Sequence, residues 1–182
     1  MTKKLTAVLI VLFLFGGSAL LMAQTDTATH DIDVTIAAVA LIGLDDATTI
    51  SLTTVAPALA GDAVTGSSDS TKRLFYTSLN LAATTRTIDV QISSGSMPAG
   101  TKLTLDAVAE AGAGTGTDGT PIDVAEASDT TLVSAIPSVA TGRTGTDGAS
   151  LTYALVVTDP ASLVVSGTPT TVTVQFTLTD DV

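Results

Sequence analysis

The sequence contains no cysteine and no tryptophan, a single histidine, and only 3% aromatic residues. Without cysteine, the chain can form neither a disulfide framework nor a zinc–thiolate site, and it has no cysteine nucleophile. Basic residues are also few, because 7 Lys and Arg stand against 18 Asp and Glu, for a net charge of −11. An acidic chain repels a phosphate backbone, so we expect no nucleic-acid partner.

The first residues have the pattern of a secretory signal peptide. A basic start at residues 3–4 is followed by an apolar run over 5–15 and by the segment GGSALLMA (16–23), which ends with a small residue, Ala23, before Gln24. We therefore expect residues 1–23 to be a signal peptide and the mature chain to be secreted or held at the cell surface. The alternative is an uncleaved anchor, but two glycines interrupt an apolar stretch that is already near the lower limit for a membrane span. No second long apolar run follows, so we expect no membrane span after cleavage.

The predicted mature chain, residues 24–182, has the composition and periodicity of one all-β domain. Apolar and polar residues alternate with a period of two, which indicates half-buried strands. The alternating or short apolar runs are 32–36, 50–52, 74–81, 88–92, 103–107, 132–136, 151–157 and 172–178. About eight strands separated by Gly-, Asp- and Ser-rich turns predict an antiparallel two-sheet sandwich, Ig-like or pilin-like, with a small β-barrel as the alternative. Tyr153 and Phe176 are in phase with aliphatic neighbours, so we expect both to be buried.

Catalytic chemistry finds little support in these residues. His30 is the only imidazole and lies close to the predicted new N-terminus, whereas a catalytic triad needs its histidine held rigidly. The adjacent carboxylates Asp45-Asp46 and Asp180-Asp181 could serve glycoside hydrolysis, but neighbouring residues of a strand point to opposite faces. We therefore expect no enzyme activity, no catalytic residue and no organic cofactor.

Calcium binding is a more serious option than catalysis. The Gly- and Asp-rich loops 112–123 and 142–148 contain Asp118, Asp123 and Asp147, and calcium binds through carboxylate, carbonyl and water oxygens. Neither loop has the EF-hand spacing, and Asp-Gly also serves simply to make tight turns. The pentapeptide TGTDG occurs in both loops with different flanks, which indicates two similar turns and not a repeated module.

The mature chain opens with the alternating sequence HDIDVTIAAVALIGL (30–44) and closes with TTVTVQFTLTDD (170–181). This layout resembles the subunits of bacterial fimbriae, in particular the cysteine-free class whose mature chains start with a short alternating strand. The resemblance implies that the N-terminal strand of one subunit completes the sheet of the next. Ile32, Val34 and Ile36 would then be the inserted side chains. The chain departs from that class at its end, which lacks an aromatic next-to-last residue.

Two functions remain open on these grounds. The first is a secreted or cell-surface structural or adhesive protein, in the form of a filament subunit that assembles with copies of itself or with other surface proteins. The second is a monomeric secreted binding module that takes calcium, a glycan or a protein ligand through its Gly- and Asp-rich loops. The pairing of residues 30–36 distinguishes them, because an apolar strand must find a partner either in its own chain or in a neighbour.

Overall fold

A computed structural model describes residues 27–181, so the predicted signal peptide, 1–23, lies outside the described residues. The chain divides into two units after Thr35, and we call residues 36–181 the body. The body is all-β. Its strands are β1 (Val39–Leu44), β2 (Thr54–Val55), β3 (Thr65–Gly66), β4 (Ser68–Leu79), β5 (Arg86–Ser94), β6 (Thr101–Val108), β7 (Ile122–Asp123), β8 (Thr130–Ile136), β9 (Val139–Ala140), β10 (Ala149–Val157) and β11 (Thr173–Asp180).

These strands pair antiparallel in three sheets. The large sheet has the order β1-β4-β10-β6-β7, and β9 pairs with β4 as well. The small sheet has the order β11-β5-β8, and β2 with β3 forms a separate hairpin. The described residues contain one helical turn, Pro160–Ser162, and no helix among them is long and apolar enough to cross a membrane.

The two larger sheets share one hydrophobic core. Each contributes one face of alternating apolar side chains, because successive residues of a strand point to opposite faces. The buried residues of this cluster are Leu74, Tyr76, Ile88, Val90, Ile92, Leu103, Leu105, Ala107, Ala113, Val124, Leu132, Val133, Ile136, Ala149, Leu151 and Tyr153. The predicted all-β class, the antiparallel pairing and the burial of Tyr153 are therefore confirmed.

The structure differs from the sequence prediction at several strands. The first strand begins at Val39 and not at Ile32, and residues 50–52 lie outside any strand although Ile50 and Leu52 pack against the core. Strands β2, β3, β7 and β9 were not expected, since each has only two residues and no alternation to read. The described body thus has eleven strands where about eight were expected.

Strand β4 also contains a register shift. The pairing with β10 changes from Leu151 opposite Lys72 to Tyr153 opposite Asp69, so the extra residue lies in β4 between them. The pairing of β4 with β1 is continuous over residues 74–79. A β-bulge leaves its extra residue unpaired and increases the local twist. The first residues of β4 are polar, so the apolar pattern of the sequence did not indicate that the strand begins there.

Candidate assembly interface

The predicted assembly side chains, Ile32, Val34 and Ile36, are solvent-exposed. Their exposed fractions are 72%, 79% and 77%, and residues 27–38 form no strand. The residues between them, Asp31, Asp33 and Thr35, are exposed too. Single exposed apolar residues are common on protein surfaces. Three β-branched side chains at every second position are different, because a strand that adds to a sheet edge binds through side chains with this spacing. We call this set the assembly side chains.

Strand β11 is an edge of the small sheet. It pairs with β5 on one side, and no strand of residues 27–181 pairs with it on the other. Its apolar side chains Val174, Phe176 and Leu178 pack against the core but stay half-buried, and we call them the edge side chains. The expected full burial of Phe176 is therefore wrong, because a strand at a sheet edge has neighbours on one side only.

The hydrogen bonds of β11 show which backbone groups face its free side. The N–H of Asp181 donates to the carbonyl of Thr85 at 3.0 Å, so the odd-numbered residues of β11 bond to β5. In an antiparallel ladder the alternate residues point their N–H and C=O groups the other way. The backbone groups of Val174, Phe176 and Leu178 consequently face the free side, and they are ready to bond an added strand.

The other face of β11 is polar and uncharged over most of its length. It carries Thr173, Gln175, Thr177 and Thr179. Charges come only at its end, where the carboxylate of Asp181 accepts hydrogen bonds from the hydroxyls of Thr85 and Thr87. These two bonds lower the pKa of Asp181 below its ordinary value. An added strand therefore meets no like charge along the middle of this edge.

Arg86 forms hydrogen bonds to the edge strands β1 and β11 of the two larger sheets. Its residue is 5% exposed. Its Nε donates to the carboxylate of Asp180 in β11 at 2.6 Å, and its guanidinium also donates to the carbonyl of Val39 in β1 and, at 3.4 Å, to the hydroxyl of Ser78. A buried guanidinium needs such partners, because an unpaired buried charge is strongly destabilising. The sequence pair Asp180-Asp181 thus serves structure at this end.

The second carboxylate pair, Asp45-Asp46, is also occupied by structural contacts. Lys72 is almost fully buried, and its ammonium contacts the carboxylate of Asp46 and the hydroxyl of Thr48. The hydrogen bonds from Lys72 and Thr48 lower the pKa of Asp46 to about 2. Burial raises the pKa of Tyr153 well above its usual range, and the charges of Asp45 and Asp69 raise it further.

The three calcium candidates lie in separate settings. Asp118 occupies a tight turn at φ 44°, and Asp123 pairs with the ammonium of Lys102 at 2.8 Å. The carboxylate of Asp147 accepts the N–H of Thr144 at 2.7 Å, and this bond lowers its pKa. Within residues 27–181, no three His, Asp or Glu side chains come together as a metal site would need. Calcium binding by these loops stays a prediction.

The loop after β6 closes one end of the core. Ala113 is buried, and its carbonyl accepts the hydroxyl of Tyr76 at 2.8 Å. Burial raises the pKa of Tyr76 to about 12, and the charge of Glu110 adds to this shift. A Cβ at Gly116 would lie 2.1 Å from the carbonyl of Ala107, so only glycine permits this close approach. The first TGTDG copy, residues 115–119, therefore packs against the backbone at the end of β6.

One surface feature was missed by sequence reasoning. A shallow pocket of about 240 Å³ lies against β1 and β4, and its lining includes Leu41, Gly43, Phe75, Thr77 and Arg143. The guanidinium of Arg143 lies 6.0 Å from the centre of the Phe75 ring. A glycine in the middle of the apolar run VALIGL was the only sequence signal for it. His30, the lone imidazole, is exposed.

Comparison with known proteins gives no relative for this chain. No family model matches it, and neither a curated protein nor a solved structure matches it.

Proposed function

We propose that this chain is an exported, non-catalytic structural or adhesive subunit of a bacterial cell surface that assembles by strand addition. In this proposal, residues 30–36 of one copy pair with a sheet edge of the next copy. The observation that carries it is the exposure of Ile32, Val34 and Ile36 in a segment without strand structure. Burying an Ile or Val side chain contributes about 1.5–3 kcal/mol, so three such side chains supply a substantial driving force.

The acceptor in this proposal is the free side of β11. Its edge side chains have the same i, i+2, i+4 spacing as the assembly side chains, and they are half-buried where an added strand would cover them. The backbone groups of the same residues point outward, so hydrogen bonds and apolar contacts would form together. This is strand addition, in which the main chain supplies affinity and alternate side chains supply specificity.

Charge supports the same pairing. The donor segment carries Asp31 and Asp33 on its polar face, and like charges opposite each other in a sheet are destabilising. The polar face of β11 presents Gln175 and Thr177 there, which carry no charge. The acidic donor can therefore lie along this edge without repulsion.

We take the two larger sheets as the two layers of a sandwich. Their apolar faces belong to one cluster, and the edge strands are β1 and β7 in the large sheet and β11 and β8 in the small one. The hairpin β2-β3 is a separate sheet and belongs to neither layer. Strand addition then extends the small sheet without changing the core.

Deletion of residues 24–36 tests the proposal. The chain from residue 24 should form oligomers or filaments in size-exclusion chromatography and negative-stain microscopy, and the deleted chain should stay folded but monomeric. A peptide covering residues 28–40 should raise the melting temperature of the deleted chain. The control is the same peptide with serine at positions 32, 34 and 36, which should have no effect because it buries no apolar surface.

Charge variants of Gln175 test the acceptor edge. Gln175→Glu adds a carboxylate opposite the acidic donor, so assembly should weaken, whereas Gln175→Lys should strengthen it. The residue opposite position 175 in β5 is the uncharged Gln91, so the fold should tolerate either charge. Equal assembly of both variants would exclude β11 as the acceptor.

The alternative is a monomeric secreted binding module, which the pocket beside Gly43 favours. It predicts a full-length mature chain that stays monomeric at high concentration, with the amides of residues 30–36 protected from hydrogen exchange. Deleting residues 24–36 would then unfold the protein. These outcomes are opposite to those of strand addition, so one set of measurements decides between the two functions.

A further inference from the structure

Strand β1 contains Gly43, and neither its backbone conformation nor its packing against the described residues requires a glycine. The φ of Gly43 lies outside the left-handed region, and a Cβ built on it would meet no atom within 4 Å. A glycine inside a strand weakens it, since it loses more backbone entropy and packs no side chain. Such a glycine often marks a place where a ligand approaches the backbone closely.

The space left by Gly43 lies over an aromatic ring. Gly43 is directly opposite Phe75 in the ladder between β1 and β4, and Ile42 is opposite Tyr76. Because Tyr76 points into the core, Phe75 and Gly43 face outward. Leu41 is 63% exposed on the same face and borders the same pocket. The missing side chain therefore keeps one part of the Phe75 surface open.

The same pocket holds an uncommitted positive charge. Within residues 27–181, Lys72, Arg86 and Lys102 each form a salt bridge, and Arg73 donates to three backbone carbonyls. The side chain of Arg143 is exposed and forms neither a hydrogen bond nor a salt bridge with any described residue. Its guanidinium lies 6.0 Å from the centre of the Phe75 ring. In so acidic a protein, a cation without an acidic partner is available for an external anion.

We propose that this pocket binds a small carboxylate with a flat apolar body. The carboxylate accepts paired hydrogen bonds from Arg143, and the flat body lies on Phe75 in the space above Gly43, beside Leu41. The pocket volume of about 240 Å³ is just below the range of common ligand sites, which suits a compact ligand. Thr77 and Tyr76 are the lining residues with a side-chain hydroxyl, and that of Tyr76 already donates to the carbonyl of Ala113, so a polyhydroxylated ligand would leave most of its groups unpaired.

Titration with benzoate tests the site, followed by two-dimensional amide NMR of residues 24–182 with serine at positions 32, 34 and 36, the variant that is expected to stay monomeric. Chemical-shift changes should cluster at Leu41, Gly43, Phe75 and Arg143 with a millimolar dissociation constant. Benzamide has the same shape without the charge, and acetate has the charge without the ring. Each should bind about tenfold more weakly, because each keeps only one of the two contacts.

Two variants and a control complete the experiment. Gly43→Val fills the pocket and Arg143→Gln removes the charge, so both should abolish the clustered shifts. Gly167→Val is the control, since Gly167 also has no atom within 4 Å of its built Cβ and lies outside the pocket. Gly43→Val should keep or raise the melting temperature, because valine suits a strand, and this separates lost binding from lost folding. Shifts that are absent, scattered, or unchanged in both pocket variants would overturn the proposal.

Discussion

Residues 30–36 and strand β11 carry the same sequence pattern, with three apolar side chains separated by polar ones, but only β11 forms a strand. In β11 the edge side chains pack against the core beside β5, whereas the assembly side chains are exposed. The comparison shows what alternation encodes. It assigns apolar and polar residues to opposite faces, but it does not supply the neighbouring strand that a strand requires.

Matched triple substitutions should separate these two regions most strongly. Serine at Val174, Phe176 and Leu178 removes apolar contacts from the core of the same chain, so the protein should unfold or lose most of its stability. Serine at Ile32, Val34 and Ile36 should leave the melting temperature of the isolated chain nearly unchanged and abolish assembly. Circular dichroism melts and analytical ultracentrifugation measure both effects.

Equal destabilisation by both triple variants in dilute solution would contradict this difference between the two regions. Residues 30–36 would then belong to the fold of their own chain. Loss of assembly without loss of stability in the N-terminal variant is the result that strand addition requires.

Much of the fold could be predicted from the sequence because its long strands bury one face. Burial alternates over 88–92, and in 103–107 and 151–153 the buried apolar residues also recur at every second position, because pleating imposes a period of two. The two-residue strands could not be predicted, since they exist only because the fold brings two backbones together. Strand β7, for example, pairs with β6 through Asp123 and Ile122 alone.

The candidate sites could be predicted only in part, because the sequence pattern does not specify which strands become neighbours. Alternation identified Ile32, Val34 and Ile36 without information about where they would bind. It also placed Phe176 on the apolar face but could not show that β11 would be an edge. The pocket depends on Gly43 being opposite Phe75, a register that no local pattern specifies.

Phe176→Ala and Leu105→Ala sharpen the contrast between an edge and the centre of the core. Leu105 is fully buried, so its truncation should cost about 2–5 kcal/mol. Phe176 is half-buried, so its truncation should cost roughly half of the 3–5 kcal/mol typical of a buried phenylalanine. Urea denaturation of the chain lacking residues 24–36 measures both values.

Addition of the peptide covering residues 28–40 extends this measurement. The peptide should stabilise the Leu105→Ala variant as much as the unsubstituted chain, but it should stabilise Phe176→Ala less, because the donor strand contacts the edge and not the centre. Equal stabilisation of all three chains would show that the peptide binds somewhere other than beside β11.

The smallest expected effect concerns the ion pair beyond the end of β1. The pKa of Asp46 is lowered from 3.8 to about 2 in the folded chain, so its carboxylate stabilises the fold above pH 3.8 and ceases to do so as the pH falls toward about 2. Asp46→Asn should therefore lower the urea midpoint slightly at neutral pH and have no effect at a pH of about 2. The effect is small because the Asp46 side chain is 51% exposed and its charge is screened by solvent. Asp129→Asn, at an exposed carboxylate without a hydrogen bond to any described residue, should leave the midpoint unchanged at both pH values. A difference between Asp46→Asn and the unsubstituted chain that persists in acid would mean that the amide disturbs Lys72 by its shape and not by its lack of charge.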